Sequence, residues 1–499
     1  MNHLTSFYKQ SLKANQNYFF VNLILAILFF LPFILHRPMY FDDYYRSYWG
    51  VSHFTQDGRL LSDFVLWFAS CFVGNTIDIS PLTWILSCLL LVCSSFLWGV
   101  NVLGRLNAIK SIVCLMPFVT PPFIQVNMFR YDNLTIAVSL SAAFLAAIIY
   151  SGNFLLKFIK SSFFLVIMFF TYQLSVFCFF YFIVFIILTK FDKGFVFVVK
   201  EVFSKLIALL FAIVFYKVVC SFVSISEYTK ESTEFYWVSW DFFVHRVLFK
   251  LKELTYLFSP FVFYSIIISF VVLATIVFYR SFKFILFGKN TNIFLLSFSL
   301  LIIPVILLLN IFTMCVVKRD LYEARYFLVA GTGCAICLYF LDLVTKNMPK
   351  LFRKVIVSLS ILPLFYTIAA SYAITNAFES QQRYADSVLV TMISAINSRD
   401  ASNYDSISFV STSLNSIEMG RFSANYKISN SIIYSGLTAD PFNIGYKFQN
   451  KLPILPTNDD DKKNICEKGP VIKGVMFDMY ENNKKAIFDL SKKICEKQN

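Results

Sequence analysis

Two adjacent carboxylates, Asp42 and Asp43, precede Arg46 in the stretch FDDYYRSYWG, and Arg59 follows in DGR. Neighbouring carboxylates repel, and partial burial at a membrane surface disfavours ionisation further, which suits one of the pair to general-base work. If the stretch is helical, Arg46 falls three and four residues beyond them and can hold them ionised and oriented. The interleaved aromatics Tyr40, Phe41, Tyr44, Tyr45 and Tyr48 suit sugar rings or a membrane interface. A solvated loop with surface ion pairs is the plainer alternative.

Three more polar groups need a reason in so apolar a chain. In NMFRYDNLT, Asp132 or Asn133 reads as an N-cap before an apolar run, but capping leaves Arg130 unexplained. Tyr172 and Gln173 interrupt a continuous apolar run, where an amide is expensive unless partnered; satisfying a turn is the alternative role for Gln173. VVKRDLYEARYF compresses Lys318, Arg319, Asp320, Glu323 and Arg325 into a short loop. Guanidinium groups suit phosphate oxygens; internal pairing with Asp320 and Glu323 is the plainer alternative. No His/Cys spacing for a metal appears, and Cys334 and Cys337 lie inside an apolar run without a second pair.

These groups must be held by membrane helices. With 58% hydrophobic and 15% charged residues, and a mean hydropathy of +0.65, the chain is read as an α-helical polytopic membrane protein. The net charge of +14 resides in short loops between apolar runs, which argues for positive-inside topology and against nucleic acid. Apolar runs at 17–36, 81–103, 111–128, 133–150, 154–172, 174–189, 202–222, 257–279, 293–316, 326–344 and 355–375 predict about eleven spans. The first reads as a retained signal anchor, because no cleavage site accompanies it. A hairpin turning near Thr171–Gln173 puts the basic loops, from Lys9 and Lys13 through Lys190 and Lys193 to Lys289, Lys346 and Lys350, on one side. The N-terminus is then cytoplasmic, and the polar groups above face outward.

Two amphipathic stretches, 240–255 with its 3.6-residue apolar repeat and 60–73, read as helices lying in the interface. The domain reading is a transmembrane domain over 1–375 and a soluble domain outside the cytoplasm over 376–499. That tail of roughly 125 residues can bury its own core and reads as a small α/β domain, with strand-like SISFVS (406–411) and GVMFDM (474–479). Its cysteines, Cys466 and Cys495, can pair in an oxidising compartment. ATP and nucleotide sugars are absent outside the cytoplasm, so group transfer there needs a donor that crosses the membrane, most simply a lipid-linked one.

The order FDDYYRSYWG…DGRLLSDFV, PLTWIL, RYDNLTIAVSL, TYQ and ARYFLVAG resembles the Gtr-type serotype-converting O-antigen glucosyltransferases along most of 1–375. The resemblance implies a GT-C-type integral enzyme of the bacterial inner membrane. It would transfer glucose from undecaprenyl-phosphate glucose to an O-antigen sugar of lipopolysaccharide on the periplasmic face, with inversion. By that resemblance Asp42 and Asp43 take the family's acidic position, one as base and one as positioning group. Asp43 is slightly favoured as the base for its i+3 relation to Arg46. Arg46, Arg59, Arg319 and Arg325 become candidates for the leaving lipid phosphate, with Arg130, Asp132, Tyr172 and Gln173 beside them as substrate-binding candidates. No cofactor or metal is expected, there being no DxD motif in the external loops. The implied partners are the polyprenyl-phosphate donor, the polysaccharide acceptor, membrane lipids, and functionally a donor-synthesising transferase and a flippase. A polysaccharide flippase or O-antigen polymerase is the alternative; the former predicts internal repeats and helices broken near the midplane, whereas no repeat is seen and the polar residues gather at one face.

Overall fold

The structure is a computed structural model, and it describes residues 13–74, 76–149, 153–190, 195–287, 291–321, 323–345, 349–409, 416–429, 453, 457, 459–492 and 495. Lys9, Lys193, Lys289 and Lys346 of the basic loops lie outside the described residues. The chain is mostly helical and divides into two compact units. One comprises Met1–Arg37 with Ser52–Tyr372, the other Pro38–Val51 with Ala373–Asn499.

Among the described residues of the chain, six helices are long and apolar enough to cross a membrane: Gln16–His36, Leu82–Val102, Phe154–Thr171, Val196–Cys220, Ala324–Leu343 and Ile361–Ser398. Trp240–Tyr256 with Pro260–Val272, bent by 106°, makes a seventh if counted as one span; Leu60–Ala69, Asp132–Ala147, Ser175–Lys190 and Ile302–Cys315 are apolar but shorter. The 111–128 run, read from sequence as one span, is instead two short helices, Ala108–Leu115 and Pro121–Met128. Pro121 and Pro122 have no N–H to continue a helix but are tolerated in a first turn, so the chain restarts there. The 154–189 region breaks at Tyr172–Leu174 into Phe154–Thr171 and Ser175–Lys190.

In the larger unit, Asp132–Ala147 is nearly all buried, between Leu82–Val102, Phe154–Thr171 and Ser175–Lys190. Its Ala- and Ser-rich sequence lets backbones approach closely, which replaces the absent hydrophobic drive between helices in lipid. Ser94 Oγ meets Ser141 Oγ at 3.0 Å, and Phe144 stacks on Phe182 at 4.4 Å beneath Trp98.

The smaller unit holds a four-stranded sheet in the order β1-β4-β3-β2, with β1 Ser406–Phe409, β2 Ile472–Lys473, β3 Asp478–Asn482 and β4 Lys485–Asp489. β1 is parallel to β4, and β3 and β4 form a hairpin whose turn residues Asn483 and Lys484 both have positive φ, matching the twist of the strands. The strand expected at 474–479 is mostly a turn, closed by Gly474 N–H to the Phe477 carbonyl, and pairing begins only at Asp478. Val388, Met392, Ile407, Phe477, Met479 and Phe488 form the core between sheet and helix. Cys466 and Cys495 form a disulfide with Cα atoms 5.4 Å apart. The helix Lys350–Ser398 runs unbroken past 375, where a span was expected to end.

Candidate active site

In the smaller unit, FDDYYRSYW forms the helix Phe41–Trp49. Two acids in its first turn and Arg46 in its last complement the helix dipole, and Gly50, at φ 65°, ends it by returning its N–H to the Arg46 carbonyl at 2.9 Å. The adjacent acids have different surroundings. Asp43 is fully buried, and its Oδ2 accepts the Tyr40 N–H at 3.1 Å while its own N–H returns to the Tyr40 carbonyl. Asp42 keeps 35% of its side chain exposed and lies 3.9 Å from buried Arg46, one turn on. Gln382 anchors the helix, donating to the Met39 carbonyl at 3.5 Å and Tyr44 Oη at 3.4 Å, and Tyr40 packs on Phe378.

In the larger unit, Arg59 enters at the start of Leu60–Ala69. Both of its terminal nitrogens donate to Asp132 Oδ1 at 2.7 Å, and its Nε donates to the Thr171 carbonyl at 3.0 Å. Arg59 thus places positive charge at the C-terminus of Phe154–Thr171 and closes over Phe54 and Tyr172. Neither Asp132 nor Asn133 caps its helix: Asp132 serves Arg59, and Asn133 bonds Ser87 and the Phe129 and Arg130 carbonyls. Arg130 pairs with Asp78 and donates to the Arg37 carbonyl. Gln173 reaches past its own turn to Tyr216 Oη at 2.8 Å and the Gly58 carbonyl at 3.4 Å. Gly58 has φ 71°, and a Cβ there would meet Tyr216 Oη at 2.7 Å, so the DGR turn requires glycine on both counts.

The loop VVKRDLYEARYF is largely paired within itself and with its neighbours. Arg325 lies 2.5 Å from Glu323 and stacks over Phe129, and its N–H donates to Gln125 Oε1. Lys318 faces Glu231 and Glu234, which hold its ammonium above its ordinary pKa, Glu231 foremost. Asp320 is taken by Lys250 at 3.1 Å and Arg246 at 3.5 Å. Arg319 differs: it is exposed and sits over the Tyr228 ring, 3.9 Å from its centre, with no carboxylate against it among the described residues. Tyr228 in turn meets Tyr326, Oη to Oη, at 3.4 Å.

Arg59, Asp132, Glu323 and Arg325 all act electrostatically on Tyr172. Burial pushes its phenol above the ordinary range, with Arg325 and Arg59 pulling the other way, so it stays a proton donor. Its hydroxyl is buried without a hydrogen-bond partner among the described residues. Sequence reasoning missed Tyr228, Tyr216 and Asp63. Asp63, which ties down Ser52 and Thr55, was legible only as one more polar residue in DGRLLSDFV.

The fold defines a polytopic helical membrane protein, with acidic groups on a short helix of the smaller unit and guanidinium and phenol groups at helix ends of the larger one. The chain belongs to the glucosyl transferase GtrII family, whose model matches residues 31–336. It is also 30% identical over 124 residues to an uncharacterized 55.3 kDa protein in the gtrB 5' region of Salmonella phage P22, an alignment covering a quarter of each chain. No solved structure matches the chain.

Proposed function

We propose that the protein transfers glucose from undecaprenyl-phosphate glucose to an O-antigen sugar on the periplasmic face of the bacterial inner membrane. GtrII membership supports glucosyl transfer. The exposed, partnered carboxylate of Asp42 beside a buried Asp43 is the observation that carries the mechanism. Asp42 removes the proton of the acceptor hydroxyl as that oxygen attacks glucose C1. The C1–O bond to phosphate breaks, its electron pair stays on the phosphate oxygen, and the configuration inverts. Asp43 positions the helix, and Arg46, one turn on, orients the Asp42 carboxylate. Of the guanidinium groups, Arg319 receives the departing lipid phosphate, since Arg59 and Arg325 already hold carboxylates. The Tyr172 hydroxyl donates to a sugar oxygen.

This reading invokes no metal or cofactor. It keeps about eleven spans, with the N-terminus cytoplasmic and the disulfide-bearing sheet domain periplasmic. A donor-synthesising transferase and a flippase would supply the substrate. The test is reconstitution of purified protein with undecaprenyl-phosphate glucose and O-antigen. Transfer should proceed without nucleotide sugar and fail in Asp42→Asn; a requirement for UDP-glucose would remove the reading.

A further inference from the structure

The helix Trp240–Tyr256 is built inside out. Its protein-facing stripe consists of Arg246, Lys250 and Glu253, at most 7% exposed. Arg246 donates to the Cys315 and Val317 carbonyls, Lys250 pairs with Glu253 at 3.0 Å, and both cations hold Asp320. At about 100° per residue, Val247, Trp240, Leu251, Val244 and Leu248 fall on one arc of roughly 100°. That arc faces outward, with Trp240 65% and Leu248 60% exposed. Asp241, His245 and Lys252 form a third, polar stripe beside it and are exposed as well.

In water, such an arc would forgo about 1.5–3 kcal/mol for each large apolar side chain left unburied. The protein-facing stripe cannot supply the missing cover, because it is charged and already occupied. Two further observations identify what does. The axis turns by 106° into Pro260–Val272, so if the latter crosses a bilayer the former runs nearly in its plane. Trp237 stacks on Phe243 at 5.2 Å and lies 6.0 Å from Trp240, a group of amphipathic rings of the kind that settles at headgroup level.

We propose that Trp240–Tyr256 lies in the membrane plane with phospholipid acyl chains as the partner of its apolar arc. Its polar stripe then faces the headgroups and its charged stripe grips the 315–320 loop. Through Asp320 this anchoring fixes the depth of the loop that carries Arg319, placing that guanidinium where a lipid phosphate lies.

Tryptophan quenching in proteoliposomes tests this without reference to catalysis, so it stands or falls apart from the reaction assigned above. The fluorescence lost in a Trp237→Phe/Trp240→Phe variant, taken as a difference from wild type, should be quenched by brominated acyl chains and shielded from acrylamide. A nitroxide at Leu248→Cys, in a background with Cys71→Ser and Cys93→Ser, should relax faster with oxygen than with a water-soluble nickel chelate. Acrylamide access, or shielding from both quenchers as under a protein partner, would overturn the proposal.

Discussion

Arg59 and Asp132, 73 residues apart, meet through two 2.7 Å hydrogen bonds to one carboxylate oxygen, both side chains buried. The pair fastens the DGR turn to the start of Asp132–Ala147 and, through Arg59 Nε, to the end of Phe154–Thr171. Breaking a buried pair strands a charge and costs about 3–5 kcal/mol, whereas replacing both members with apolar residues can be neutral. Asp132→Asn and Arg59→Met should each lower the unfolding temperature in detergent, and Arg59→Met/Asp132→Leu should recover most of the loss. Equal damage from the double variant would show that the pair does more than hold the helices.

The two adjacent acids should separate by readout. Asp42→Asn is expected to reduce transfer by about 10²- to 10⁴-fold, the contribution of a general base, with expression and melting unchanged. Asp43→Asn weakens the bond to Tyr40 N–H and should lower stability by about 1 kcal/mol before any effect on rate. Full transfer by Asp42→Asn would remove it from the mechanism.

Arg319 contacts an aromatic face and solvent, so Arg319→Ala should fold normally. Loss of a charge-assisted phosphate contact worth about 1.5–3 kcal/mol should reduce kcat/KM for the lipid donor about 10- to 100-fold. Arg319→Lys should restore part of it, and acceptor KM should not move. Kinetics with varied donor decide the matter.

Gly58→Ala combines a positive φ with a clash against Tyr216 Oη. It should destabilise by more than about 1 kcal/mol. Adding Tyr216→Phe relieves only the steric part, so a partial recovery in thermal unfolding is the expected result.

The disulfide closes a separation of 29 residues. Cys466→Ser should lower the stability of the smaller unit by about 2–4 kcal/mol. In cells, the intact pair should resist maleimide labelling until reduced; labelling without reductant would place that unit in a reducing compartment.

The sequence by itself determined what the side chains could become. Its apolar runs specified membrane helices because backbone polar groups in lipid must bond internally, and the 3.6-residue repeat at 240–255 specified a helix with one apolar arc. Asp42 and Asp43, Arg319 and Arg325 were visible as chemistry, though not how their roles divide. Only tertiary structure decided that, because charge compensation depends on which group arrives from distant segments. Asp132 reads locally as a cap and becomes the partner of Arg59. Arg325 is taken by Glu323, and Arg319 is left on Tyr228. Burial made the same choice between neighbours one residue apart, turning Asp43 inward and leaving Asp42 to the solvent, since successive helical positions point about 100° apart.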